Sequence, residues 1–363
     1  VLVCFFILVV KHLLPRLELG NHPISSTNGL VKWVGDKLME TSLFFTNPLY
    51  STMYTPLWLR GLGARIGRGA EISTVSDIDP DFLTLGDECF LADLASIGPA
   101  TYGKGYFRLS ETWLGKRSFV GNAALVSADT RMGDNTLLGV QSTSSSRALD
   151  VGSSWLGSPA IFLPRREIME MDEGETYNPS RGVYLLRLVI EFFRFSLPPG
   201  LLIVGTTLVL EYFESQSLTQ PISLAIPSYG VLIVLEAFGL VLVVALIKWI
   251  LMGVYRPRVE GHWSLFVRGT EFVTALYENI TVPVLLLWFG GTPLMAPILR
   301  LYGVKIGRRV YCETNFITEF DLVEIGDDCI IGKDSSLQTH LFEDRIMKMS
   351  KVSLKDRSSV GTR

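Results

Sequence analysis

Apolar residues recur every six positions through two stretches of the chain, and a small residue usually comes after each one. The first stretch reads Ile66-Gly67, Leu85-Gly86, Leu91-Ala92, Ile97-Gly98, Leu114-Gly115, Val120-Gly121, Met132-Gly133 and Leu138-Gly139. The second reads Ile306-Gly307, Ile325-Gly326, Ile331-Gly332, Leu337-Gln338, Leu354-Lys355 and Val360-Gly361. A six-residue period matches neither a helix nor a half-buried strand. It predicts a parallel β-helix of triangular section, one hexapeptide to each side, the apolar residue pointing inward. The small residue after it is expected to turn the corner. A second small residue four places on, such as Ala95, Ser118, Ala124 or Ser335, fills the narrow interior. The phase breaks over 73–84 and 313–324, and again over 99–111 and 339–351, which predicts matched excursions from the coils.

Other stretches are apolar throughout. Val1 to Val10 reads as the second half of a spanning helix whose start is missing; the rival, a signal peptide, lacks a basic start and a small-residue cleavage site. Phe195 to Leu210 and Pro221 to Ile247 read as two crossings, with Glu211 to Glu214 in a polar loop between them. Val183 to Arg194, interrupted by Arg187, Glu191 and Arg194, predicts an interfacial amphipathic helix. Glu271 to Arg300 reads as interfacial or buried, not spanning. Arginines and lysines flank the pair of crossings and none lies between them, which places the large polar parts on the cytoplasmic side.

Sliding the chain on itself by 240 positions brings Leu59-Arg60 onto Leu299-Arg300 and Leu85-Gly86-Asp87-Glu88-Cys89 onto Ile325-Gly326-Asp327-Asp328-Cys329. The fold class expected is therefore mainly β plus transmembrane α: two tandem left-handed parallel β-helix (hexapeptide-repeat) domains joined by a transmembrane helical hairpin. The boundaries expected are 1–14 for the end of a transmembrane helix and 15–58 for an interfacial linker. Next come a first β-helix at 59–166, an amphipathic linker at 167–194 and the hairpin at 195–255. An interfacial segment at 256–298 leads into a second, truncated β-helix at 299–363. The chain reads as a fragment cut at both ends.

Composition narrows the class. Charged residues are 19% and hydrophobic ones 48%, with a mean hydropathy of +0.33. That excludes disorder and favours membrane-embedded segments. With a net charge of -3 and no Lys/Arg block, nucleic acid is not an expected partner. Four cysteines form no C-x-x-C pair and four histidines are scattered, so no metal site is expected. Cys89 and Cys329 share a repeat position that faces the interior.

His340 is the sharpest candidate for chemistry. It falls where the hexapeptide phase breaks, at a coil corner, and a neutral imidazole can take the proton from an attacking amine. Its repeat partner is Ala100, so the first copy lacks this group. Glu343 and Asp344 come shortly after and could orient the imidazole or hold an ammonium. Glu319 and Asp321, whose repeat partners are Asp79 and Asp81, read as shaping the excursion.

The runs Ile306 to Tyr311, Thr318 to Asp327, Leu337 to Met349 and Ser153 to Arg166 resemble the membrane-embedded C-terminal region of nonribosomal peptide synthetases of the ε-poly-lysine synthetase type. The resemblance implies amide-bond formation from a carrier thioester at a membrane. Adenylation and carrier domains of the same synthetase would supply a phosphopantetheine-bound aminoacyl group, and an amino acid or amine would accept it. It implies an integral cell-membrane protein with the lipid bilayer as a partner. No adenylation or carrier motif lies in this chain, so it would hold no cofactor itself. Two other readings remain open: a non-catalytic membrane scaffold that docks carrier domains, and a stand-alone hexapeptide acyltransferase using coenzyme A.

Overall fold

A computed structural model describes residues 2–45, 47–75, 77–144, 147–165, 169–217 and 221–362. Val1, Thr46 in the stretch expected as a linker, Ser76 in the first break of phase, residues 145–146 of the serine-rich loop, Arg166 with 167–168, residues 218–220 and Arg363 lie outside this description. The chain divides into two compact units, Val1–Glu170 and Met171–Arg363.

In the first unit, helices α1 (Leu2–Leu13), α2 (Thr27–Phe45) and α3 (Thr55–Gly61) precede a stack of short parallel strands. One ladder aligns Ile66, Leu85, Leu114, Met132 and Leu149, and a second aligns Ile72, Leu91, Val120 and Leu138. A third pairs Ile97 with Val126. Three ladders of parallel strands are the three sides of a β-helix. Leu91, Leu114, Val120, Val126, Met132 and Leu138 are all 0% exposed, and Ala95, Ala124 and Cys89 fill the space between them.

Two expectations need correction. The small residue after the apolar one does not turn the corner. The left-handed backbone falls two residues later, at Glu88, Leu94, Arg117, Ala123, Asp129, Asn135 and Gln141, all with φ between 52° and 67°. Glycine serves stacking instead: a Cβ on Gly86 would lie 2.6 Å from the backbone nitrogen of Lys116 in the next coil. Nor is 73–84 an excursion. Ile78 is buried like Ile72, and the first coil is a turn with one extra residue, carrying a 3-10 segment at Pro80–Phe82. The break at 99–111 is a true excursion, a hairpin of Thr101–Gly103 with Tyr106–Leu109 that also pairs with Gly20–Pro23.

The second unit repeats this plan. After α4 (Glu173–Thr176) come α5 (Arg181–Ser217), α6 (Ile222–Leu251) and α7 (Leu265–Leu276). A π-helical stretch, Tyr277–Leu286, continues α7 into α8 (Leu287–Phe289), and α9 (Met295–Tyr302) leads into the strands. Ladders align Ile306 with Ile325 and Leu354, Cys312 with Ile331 and Val360, and Ile317 with Leu337. One core joins Val241 and Val244 of α6, Val273 and Leu276 of α7, and Ile325, Ile331 and Leu337 of the strands.

Among the described residues, three helical stretches are long and apolar enough to cross a membrane: Glu173–Gln216, Ser223–Leu251 and Leu265–Phe289. The third overlaps the segment expected to be interfacial or buried, and Tyr277, Ile280, Thr281, Leu285 and Leu286 within it are indeed buried against protein. The π-helical stretch keeps the helix continuous across Pro283, which lengthens the apolar run. Glu211 to Glu214 are not a loop, because α5 continues to Ser217. The 183–194 stretch leads into the long apolar run as one continuous helix. It forms the start of α5, and its charges face protein: Arg187 and Glu191 are each 1% exposed and joined at 2.6 Å. Glu236 of α6 lies over Gly205 of α5, where the missing side chain makes room for its carboxylate.

Candidate active site

The hexapeptide rhythm positions His340. The corner residue is the third after each interior one, and His340 is the third after Leu337. Here the chain leaves the coil as a hairpin, His340–Glu343 with Ile346–Met349, that pairs in turn with Arg258–Gly261. Asp344 and Arg345, with φ of 49° and 60°, form its two-residue turn.

One coil earlier, Thr318 and Glu319 come directly after Ile317, the ladder partner of Leu337. Parallel stacking therefore brings Glu319 beneath Thr339 and His340. His340 Nδ1 lies 2.8 Å from Glu319 Oε2, and the Thr339 hydroxyl donates to the same oxygen at 2.6 Å. Burial alone would push the Glu319 carboxyl up. The facing imidazole and the hydrogen bonds from His340 and Thr339 outweigh it and hold the group below the usual glutamate range. An ionised carboxylate only accepts, so Nδ1 donates, and the tautomer this selects carries its lone pair on Nε2. The His340 side chain is 15% exposed while Glu319 is sealed at 0%. Phe342 stands edge-on to His340 at 5.4 Å and contacts His262 from its other side at 5.8 Å.

Glu343 and Asp344, the two carboxylates expected to help His340, lie farther along its hairpin. Glu343 lies three residues along the strand, roughly 10 Å by strand geometry, and pairs with Lys348 at 3.0 Å. Asp344 sits in the hairpin turn. The partner is Glu319, which the sequence alone marks only as a shaping residue. The signal lies in the ladder itself: once Ile317 is kept in phase with Leu337, Glu319 stacks on the histidine's corner. Asp321 is a shaping residue, held by Lys248 at 2.6 Å. Cys329 is 0% exposed, and burial pushes the Cys312 thiol up to about 11, so neither is a ready nucleophile.

The first unit keeps the strand ladders and differs at the matching positions. Ala100 stands where His340 does. Asp79, in place of Glu319, is bound at 3.1 Å by Lys32, whose counterpart in the second unit is Phe272. Among the described residues, no cluster of three His, Cys, Asp or Glu side chains could hold a metal ion.

No protein-family profile matches the chain. It is 41% identical over 362 residues to Delta-poly-L-ornithine synthetase of Acinetobacter baumannii (strain AB307-0294). The match takes in 97% of this chain and 27% of that protein, so the chain spans about a quarter of its relative's length. Among solved structures, a maltose O-acetyltransferase of Clostridium difficile 630 is 14% identical, covering 46% of this chain and 85% of its own, with a TM-score of 0.28. A hexapeptide-repeat acetyltransferase of Vibrio cholerae is 16% identical, covering 28% and 62%, with a TM-score of 0.27. The β-helix assignment rests on the strand registers described above.

Proposed function

We propose that this chain is a membrane-embedded portion of a poly-amino-acid synthetase, and that its second unit forms amide bonds from a carrier-bound aminoacyl thioester. The observation that carries this is the His340–Glu319 pair: an imidazole at a coil corner, fixed in one tautomer by a buried carboxylate. The similarity to a polyornithine synthetase supports the reaction class; the ε-poly-lysine type is a finer distinction than that similarity reaches.

The amine nitrogen of the acceptor attacks the thioester carbonyl carbon. As the C–N bond forms, His340 Nε2 takes the proton from nitrogen, and Glu319 stabilises the imidazolium. The C–S bond then breaks, the electron pair leaves on sulfur, and the imidazolium returns the proton to it. The products are an amide and a carrier thiol. The phosphopantetheine arm of the carrier supplies the thioester. The three long apolar helices support a bilayer as partner. The basic flanks of the hairpin formed by α5 and α6 support a cytoplasmic position for the two β-helices, which we take to be tandem and left-handed. The first unit, with Ala100 and a lysine-bound Asp79, serves as a binding or spacing platform.

The test compares carboxylate variants in the complete synthetase with its carrier already loaded. Glu319→Gln slows product formation by about 10- to 1,000-fold, while Glu343→Gln and Asp344→Asn stay within about threefold of wild type. A fully active Glu319→Gln, or a loss confined to Glu343→Gln, contradicts the assignment.

A further inference from the structure

We propose that the Lys248–Asp321 ion pair is a positioning device that ties the end of helix α6 to the catalytic turn. The proposal rests on the acyl-transfer reading of His340 and Glu319. Glu319 has φ 40° and ψ 57°, a left-handed conformation that residues other than glycine adopt only against a steric penalty. Such a conformation persists only where the surroundings over-determine it. The next three residues supply that constraint. The 3-10 turn Phe320–Leu322 begins there, and Leu322 N–H donates to the Glu319 carbonyl at 2.8 Å. Phe320 is held between the rings of Tyr277 and Tyr302, each 4.9 Å away.

Asp321 is clamped from three sides. Lys248 Nζ donates to its Oδ2 at 2.6 Å, and Tyr255 N–H donates to the same oxygen at 3.1 Å. Its carboxylate also sits on the bare Cα of Gly303, φ 110°, where a side chain would overlap it. The Lys248 side chain is 0% exposed. Its ammonium is seated over the Trp249 ring at 3.4 Å. A buried cation at a helix end, bound to a residue two positions from the base's carboxylate, couples movement of that helix to the dyad.

The first unit supplies an internal control. Its Asp81 is bound by Lys11 at 2.5 Å and sits on Gly63, φ 115°, in the same way. In the second unit the lysine comes from a neighbouring helical turn, since position 251, the counterpart of Lys11, is leucine. Yet Asp79, at the place of Glu319, is extended, with φ -102° and ψ 95°. The latch belongs to both units and does not by itself impose the left-handed backbone; it holds the turn in place, and only in the unit with the histidine does that turn carry a left-handed carboxylate.

The test is the pH dependence of product formation by the complete synthetase, preloaded on its carrier, with thermal stability measured alongside. Charged and titratable groups on the elements packed around His340 are Glu319 from the turn, the Glu343–Lys348 pair, Asp344 and Arg345 on its hairpin, Arg258 and Glu260 on the strand paired with that hairpin, His262 after that strand, and the Asp321–Lys248 pair next to the turn. Protonation of the base sets the acid limb of the profile, and withdrawing the Glu319 carboxylate lets the imidazole protonate only at lower pH. Asp321→Asn and Lys248→Met are expected to slow the reaction about 10- to 100-fold, the scale of a misplaced catalytic group. They also move the acid limb to lower pH in the same sense as Glu319→Gln, and add little to that variant in combination. Lys11→Met keeps the wild-type rate and limb. If Asp321→Asn fails to fold, Lys248→Met with Asp321→Asn, which removes both charges, takes its place. A folded Lys248→Met protein with the wild-type rate and profile overturns the proposal. So does a loss of rate with an unmoved limb that Lys11→Met matches, since that is bulk stability. Full activity of His340→Ala in the same series would instead remove the dyad beneath it.

Discussion

At the residue scale, the interior ladder sets the strictest demands. Leu91 stacks between Ile72 and Val120 with 0% exposure. Leu91→Asp buries a charge without a partner, costing several kcal/mol, and is expected to abolish the cooperative unfolding of the first β-helix in circular dichroism. A folded protein that melts cooperatively at the wild-type temperature would contradict the assignment. Glycine is tested more finely. Gly86→Ala, whose Cβ meets the next coil at 2.6 Å, should cost about 1–3 kcal/mol, while Gly103→Ala, with open space at that position, should be near neutral. Equal effects would mean that these glycines turn the chain instead of letting coils approach. Acid should weaken the second unit through Glu319 and Glu324. Hydrogen bonds from Lys305 and Lys351 hold the Glu324 carboxyl at about 2, and Glu319 is also depressed. For both the folded value lies below the unfolded one of about 4.3. Their stabilisation is therefore present above that pH and lost as pH falls toward 2. A melting temperature that stays flat from about pH 6 down to about pH 2.5 would contradict this.

At the scale of elements, the sequence makes legible whatever obeys a period. The interior positions Leu91, Leu114, Val120 and Leu138 are readable from the six-residue rhythm alone, and so is the three-residue interval from Leu337 to His340, where the chain leaves the coil as a hairpin. The hairpin excursions are legible as a loss of phase, though not their pairing with Gly20–Pro23 or Arg258–Gly261, because antiparallel partners so distant leave no periodic mark. Glu319 is hidden by one inserted residue. The extra position in the first coil looks like an excursion and obscures the stacking that places the carboxylate under the imidazole. The charges of α5 mislead for another reason. Arg187 and Glu191 mimic an amphipathic surface in sequence, whereas in the fold they close a buried cluster with His262, Arg268 and Glu271. Removing one member alone leaves a buried charge. Arg187→Met is expected to destabilise the second unit by about 3–5 kcal/mol, and Arg187→Met with Glu191→Leu by much less. Additive losses in a thermal-melt double-mutant cycle would contradict the pairing.

For the whole molecule, two units on one plan carry different residues at the same repeat positions. The first has Ala100 above an Asp79 that is bound by Lys32; the second has His340 above Glu319. On the proposed reading, these substitutions on a common plan divide the labour between the units, and the second unit's core is shared with long apolar helices. The most direct measurement is carrier loading against product release for His340→Ala in the complete synthetase, both read from one preparation. The account predicts wild-type aminoacyl loading with product lowered about a hundredfold to ten-thousandfold, the range for losing a general base. Normal product release from a normally loaded His340→Ala carrier would contradict it and leave the second unit a scaffold.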